Sequence, residues 1–417
     1  MKIEMPYGRG HLSCELPDDA AVIRSRVNEM RSDDTGEALV RRAMASPIGA
    51  PRLSELARGK RDAVVIISDH TRPVPSREIL PEMLSELRQG NPEIDVTLLV
   101  ATGCHRETTE AELRAKLGEI YDRERVVVHD AFDPAKNVKI GVLPSGAELV
   151  IDRLAAETEL LVAEGFIEPH FFAGFSGGRK SVLPGVCDRV TVLGNHCGAF
   201  IDDPRARTGI LDGNPIHIDM TAAAKMAKLA FIVNVVVNDD HRTVAAFAGE
   251  PEAAHRAGAD FAAQYARVAP ILADIVLTSN GGVPFDQNIY QCVKALSAAE
   301  ATVRPGGTVI LCAEAADGIG GEGFYRSLRD CESPAALYRE CTETSQNATI
   351  PDQWQSQILA RILMHCRVIF VSSPEVADAV REMKMEYAET IEEALRMAGE
   401  GSVTVVPNGI SVIVDVE

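Results

Sequence analysis

A few histidines, two lysines and an arginine carry most of the chemistry available to this sequence. His70, His105, His170 and His196 stand out among ten histidines, and three of them fall near an Arg or Lys at the end of an expected strand. Imidazole titrates near working pH, so it suits proton transfer. His105 and His170 lie on glycine-containing loops, where a pair facing each other would serve both faces of one carbon centre. His70 is weaker, because its neighbours Asp69 and Arg72 can form a site without it. Zinc hydrolysis is disfavoured, since no His-Glu-x-x-His is present. Arg72 offers a planar fork for a carboxylate or phosphate. Tyr290 and Gln291 precede Lys294 by one helical turn, so all three can share one side of a helix. Trp354, the only Trp, either packs or walls a site.

These residues hang on strand ends. The stretch Gly165–Gly185, GFIEPHFFAGFSGGRKSVLPG, follows the apolar run Leu160–Ala163, which reads as a buried strand. Its turn Ser176, Gly177, Gly178, Arg179 brings consecutive N–H groups and one cation beside Lys180, the only amine in the stretch. Gly174 to Lys180-Ser181 nearly fits a phosphate-binding P-loop, but Arg179 stands where that motif needs Gly. The apolar runs Ala63–Ile67 and Val96–Val100 end in SDHTRP and ATGCHR. Three parallel strands ending this way would converge on one rim, where α/β sheets carry their sites. Thr109-x-x-Glu112 is a capping box that opens a helix. A hairpin is expected over the first residues, helices over Thr221–Ala227, Pro251–Arg267, Gln287–Ser297 and Pro351–Leu363, and terminal strands over Val403–Val406 and Ile410–Val414. The alternation restarts near Val268, and its repetition predicts an α/β protein with mostly parallel sheets.

Composition narrows the function. The 417 residues suffice for two or three domains, and a formal charge of -19 argues against nucleic acid or an anionic membrane as partner. An anionic substrate then needs local cations. No apolar run is long enough to span a membrane, and no secretory signal is visible. Nine scattered Cys without a C-x-x-C pair fit a reducing cytoplasm.

The segments SDHTRPVP (Ser68–Pro75), ATGCHR (Ala101–Arg106), EPHFFAGFSGGRK (Glu168–Lys180), GNH (Gly194–His196) and YQCVK (Tyr290–Lys294) together resemble the lactate racemase family, over nearly the whole chain. The resemblance implies two α/β domains with the active site in the cleft between them. It assigns residues 1–268 to an N-terminal cofactor-binding and catalytic domain completed by 403–417, and 269–402 to a C-terminal domain. It implies a nickel-pincer nucleotide, a pyridinium-3,5-bisthiocarboxylic acid mononucleotide holding nickel, attached covalently through Lys180. His196 would be the protein ligand to nickel, in a square plane. His105 and His170 would be the acid/base pair. Asp69, Thr71, Arg72 and the turn from Ser176 to Arg179 would hold the cofactor, with the turn on its phosphate. Arg72, Tyr290, Gln291, Lys294 and Trp354 would meet the substrate.

The expected activity is racemisation or epimerisation of a 2-hydroxycarboxylate, lactate or a relative, by reversible hydride transfer to the cofactor. The expected partners are cofactor-synthesis and nickel-insertion proteins. Two other readings compete: a P-loop-like nucleotide phosphohydrolase, which Arg179 disfavours, and a non-catalytic nickel or cofactor carrier, which would not need both His105 and His170.

Overall fold

The computed structural model describes residues 1–238, 240 and 242–415. Two six-stranded sheets organise the chain. The first runs, in spatial order, Thr243–Gly249, Leu229–Val237, Leu161–Phe166, Asp62–Ser68, Asp95–Ala101 and Arg125–Val128. Only the edge strand Thr243–Gly249 is antiparallel to its neighbour. Ala63–Ile67 is buried at every position, as a strand covered on both faces must be. Fully burying Ile66 or Ile67 contributes roughly 1.5–3 kcal/mol each relative to exposure.

From Asp62–Ser68 the chain adds strands in one direction, then crosses back to place Leu161–Phe166 on the other side. The order therefore reverses between Ser68 and Phe166. Open α/β sheets bind ligands at such a reversal, beyond the carboxyl ends of the strands. Asp69–Arg72 and Ile167–His170 emerge from these two ends.

The second sheet runs Glu386–Ala388, Arg367–Val371, Val303–Cys312, Ala273–Ser279, Val403–Val406 and Ala21–Val22, all parallel. The expected N-terminal hairpin forms as Lys2–Tyr7 against Gly10–Glu15. Ile3, Met5, Cys14 and Leu16 pack into the core of this second sheet with Ile275, Leu277 and Val405. The first residues thus pack with the C-terminal region, which differs from an N-terminal domain counted from residue 1. The C-terminal segment also differs from expectation. Val403–Val406 pairs inside the second sheet, while Ile413–Val414 pairs with Arg267–Val268 and Ile413 joins a core cluster with Val27 and Phe175. Val416 and Glu417 lie outside the described residues.

Local chemistry sets the helix starts. Thr109 and Glu112 form the expected capping box. The helix expected from Thr221 begins earlier, at Pro215, because Asn214 accepts the N–H groups of Ile216 and His217 and Pro suits the first turn. Gly409–Ser411 is a 3₁₀ turn rather than strand. Helices Glu322–Asp330 and Pro334–Glu343 cover a stretch that patterning left unassigned. Among the described residues, no helix is long and apolar enough to cross a membrane.

Candidate active site

A cleft of about 2640 Å³, counting its open mouth, lies over the rim of the first sheet. Asp69, Thr71, Arg72, His105, His170, Ser176, Gly177, Lys180 and His196 line it from the first sheet's side. Tyr290, Gln291, Lys294 and Trp354 line it from the second. Helix Ile289–Glu300 buries Ile289, Cys292, Val293 and Leu296, which turns Tyr290, Gln291 and Lys294 toward the cleft.

A chain of hydrogen bonds joins the strand ends. Arg72 Nη1 donates to Thr71 Oγ1 at 3.0 Å, and Thr71 Oγ1 donates to Asp69 Oδ1 at 2.7 Å. The Thr71 N–H also donates to Oδ1, at 3.1 Å. The other oxygen, Oδ2, meets His105 Nδ1 at 2.7 Å. Burial alone would raise the Asp69 pKa, but His105, Arg72 and Thr71 outweigh it and hold the carboxyl well below the usual range. An ionised Asp69 accepts only, so His105 carries its proton on Nδ1 and its other nitrogen, Nε2, holds the lone pair when the ring is neutral.

His170 is arranged the other way. Its Nδ1 accepts the backbone N–H of Ala173 at 3.3 Å, so a neutral ring carries its proton on Nε2. The ring stacks on Phe171 at 5.1 Å between centroids and meets Phe172 edge-on at 4.6 Å. Burial, then Lys180, Lys294 and Arg72, push its pKa well below the usual value, so the imidazole stays neutral. The cleft thus holds one histidine ready to take a proton and one carrying a proton on the nitrogen the first leaves bare.

Lys180 sits on the 3₁₀ turn Gly178–Ser181, with Nζ 5.7 Å from the Phe172 ring centroid. Burial, then Arg179, Arg72 and Lys294, lower its pKa well below normal and favour the neutral, nucleophilic amine. Lys294 falls to about 7, through burial and then Arg72. His196 is buried between Phe172 and Trp354, at 5.1 and 5.0 Å between ring centroids. Its Nδ1 has no hydrogen-bond partner, and burial followed by Lys180 lowers its pKa to about 3. A neutral buried imidazole with an unpartnered nitrogen fits a metal ligand, and an amine whose charge its surroundings disfavour fits a covalent anchor.

The glycine turn departs from the expected phosphate cradle. The Ser176 N–H donates to Glu168 O at 2.9 Å, and the Gly178 N–H to Asn234 Oδ1 at 2.7 Å. The Ser176 hydroxyl bridges Phe166 O and the Glu168 N–H, both at 2.9 Å. Arg179 points away from the cleft. It is 3% exposed and donates to Ala173 O, His217 Nδ1 and His255 Nε2 at 2.7, 3.0 and 2.8 Å. Arg179 and Gly178 therefore brace the turn from behind, and only Ser176, Gly177 and Lys180 of this group reach the cleft wall. Gly177 and Gly178 have φ of 73° and 54°, and an added Cβ would meet Asn234 Oδ1 or the His255 ring at 2.7 Å, so side chains are barred there.

His70 also lines the cleft, with Nδ1 on Thr108 Oγ1 at 3.1 Å. Glu168 and Asp352 are among the charged residues that sequence reasoning missed. Glu168, whose pKa burial raises against the pull of Lys294, Arg72 and Lys180, supplies negative charge near three cations. Asp352 lines the cleft in a left-handed conformation, φ 65°, just before the Trp354 helix. The opening Glu of EPHFF was a usable signal for the first. A non-glycine residue at positive φ leaves no trace in sequence patterning.

Two histidines and several basic side chains line one cleft, an arrangement suited to moving protons on a small anionic molecule. The comparisons narrow this class. Residues 7–209 match the lactate racemase N-terminal domain family, and residues 268–414 the lactate racemase C-terminal domain family. A lactate racemase of Thermoanaerobacterium thermosaccharolyticum is 49% identical over 420 residues, covering 99% of both chains. One from Lactiplantibacillus plantarum is 48% identical, with the same coverage. The structure of the lactate racemase apoprotein from the former organism matches with a TM-score of 0.96 at 48% identity, covering 100% of both chains. A Thermotoga maritima protein at 19% identity and TM-score 0.67 shares the fold. The chain belongs to the lactate racemase family and is a racemase, an isomerase of two α/β units with mostly parallel sheets.

Proposed function

We propose that this racemase inverts the hydroxyl-bearing carbon of a 2-hydroxycarboxylate, lactate or a close relative, and that His105 and His170 are its opposed acid and base. The observation that carries this reading is the complementary protonation of the two rings, His105 held by Asp69 through Nδ1 and His170 held by Ala173 through the same atom. One ring accepts the substrate hydroxyl proton, and the other returns a proton on the opposite face. Arg72 and Lys294 hold the carboxylate, and Tyr290, Gln291 and Trp354 close the far wall. The activities named for the relatives support lactate as the first substrate to try.

Lys180 and His196 fit the nickel-pincer nucleotide. When bound, that group supplies a hydride acceptor. Lys180 would hold it covalently and His196 would hold its metal. Cofactor-synthesis and nickel-insertion proteins are then needed to load the enzyme, and the cytoplasm is the compartment that suits its free thiols.

The test is turnover of each pure enantiomer by His105→Ala and His170→Ala, followed by chiral chromatography. A general acid or base is worth typically about 10²–10⁴-fold. Both variants should lose that much in both directions, because each full turnover uses both rings. Near wild-type racemisation by either variant would refute the pairing.

A further inference from the structure

Asp352 lines the cleft just before helix Gln353–His365, and neither proton transfer nor anion binding uses it. An Asp in that place ordinarily caps its own helix with its side chain. Asp352 does not. Its backbone is left-handed, at φ 65° and ψ 0°, and its carboxylate serves other elements. It accepts the N–H of Phe324, a first-turn donor that helix Glu322–Asp330 leaves unmatched by itself. That helix starts after Gly321, which has no side chain to cap it. A Cβ on Gly321 would come 3.2 Å from Asp352 Oδ2 and 3.0 Å from the Tyr290 ring, so the glycine admits both. Asp352 also accepts the Tyr290 hydroxyl.

The direction of these bonds follows from the groups. An indole N–H only donates, so the bond between Trp354 and Tyr290 runs from the Trp354 N–H to the Tyr290 oxygen. The phenol's own proton is then left for Asp352. Burial pushes the phenol pKa well above the usual value, which keeps that proton in place. Burial raises the Asp352 pKa as well, while Tyr290, the Phe324 N–H and His105 oppose the rise. At the other end, the Trp354 ring meets His196 edge-on at 5.0 Å between centroids. The Tyr290 ring also meets Phe324 edge-on, at 5.4 Å. Removing the carboxylate frees the hydroxyl to turn its hydrogen elsewhere, and Trp354 loses a fixed acceptor. We infer that Asp352 is a positioning residue of the racemase: it sets the direction of the Tyr290 hydroxyl and so holds the Trp354 indole against His196. This rests on the roles proposed above for His196, Tyr290 and Trp354.

Trp354 reports on its own surroundings, because it is the only tryptophan. Asp352→Gly keeps a residue that accepts positive φ and removes the carboxylate. Tyr290→Phe removes the hydroxyl and leaves Asp352 on its helix, so it reads the same link even if the Gly variant folds poorly. Fluorescence emission of the full chain, made without the cofactor-synthesis proteins, should shift in the same direction in both single variants. Asp352→Gly should add no further shift in the Tyr290→Phe background. In the loaded enzyme each single variant should lose about tenfold or more in kcat, the scale of one hydrogen bond to a charged group, and the double variant should lose no more than the worse single one. Wild-type emission in Tyr290→Phe, or losses that multiply in the double variant, overturns the positioning role, reduces Asp352 to a helix cap, and leaves the racemase reading standing. A loaded wild type that inverts no 2-hydroxycarboxylate overturns that reading and the role with it.

Discussion

Replacing Asp69 by Asn tests how the hydrogen-bond chain prepares His105. Thr71 fixes the orientation of the new amide. Its hydroxyl accepts from Arg72 Nη1 and gives its proton to Oδ1 of residue 69, and its N–H points at the same atom. An Asn must therefore present its carbonyl oxygen to Thr71 and its NH₂ to His105 Nδ1. That nitrogen becomes an acceptor, and the proton of the neutral ring moves to Nε2. The lone pair needed for proton abstraction then faces the wrong partner. The volume and packing of the side chain are unchanged, so the fold should hold. The loss should approach that of removing a general base, about 10²–10⁴-fold in kcat, or about 3–5 kcal/mol of barrier. KM should move little. Initial rates from each enantiomer, with nitrogen-15 NMR of the histidine tautomer, measure both halves of the claim. A variant that keeps kcat within a few-fold of wild type, or a ring that stays protonated on Nδ1, would refute the reasoning.

Other outcomes follow from the same geometry. Lys180→Ala, produced alongside the cofactor-synthesis proteins, should show no added mass in an intact-protein spectrum, and a retained adduct would exclude Lys180 as the anchor. Arg72→Ala should lose about 1.5–3 kcal/mol of charge-assisted binding in kcat/KM, with Arg72→Lys only partly restoring it. Burial, then Arg72, bring Lys294 to about 7, so its cation is present below that pH and lost above it. KM for the 2-hydroxycarboxylate should therefore rise above pH 7, and Lys294→Arg, which stays charged, should flatten the rise. A KM independent of pH in wild type would remove Lys294 from the carboxylate site.

Strand–turn–helix punctuation made much of the site legible. SDHTRP and ATGCHR follow continuous apolar runs, and those runs do become adjacent parallel strands whose ends bring Asp69 to His105. YQCVK was legible because helical spacing puts Tyr290 and Gln291 beside Lys294. What failed was direction. Arg179 has the composition of an anion ligand, yet its guanidinium turns inward to Ala173 O and to His217 and His255, and the two histidines lie far from it in sequence. Asp352 was hidden for a related reason. It precedes a helix, and nothing local shows that its carboxylate serves Phe324 and Tyr290 instead. The N-terminal hairpin was recognised, but its packing partner was not, because alternation reveals an apolar face without saying what covers it.

The pairing of Ala21 with Thr404 has a consequence for how the molecule is made. On the ribosome, the strands of the first sheet, from Asp62–Ser68 to Thr243–Gly249, emerge as one uninterrupted stretch and can close their core early. The hairpin that precedes them cannot. Ile3, Met5 and Leu16 wait for Ile275 and then Val405, both made after the first sheet is complete. During that interval an apolar hairpin face stays uncovered. Fusing a bulky domain to the N-terminus perturbs this late-forming core, so a tag there should slow maturation of the second sheet while sparing the first.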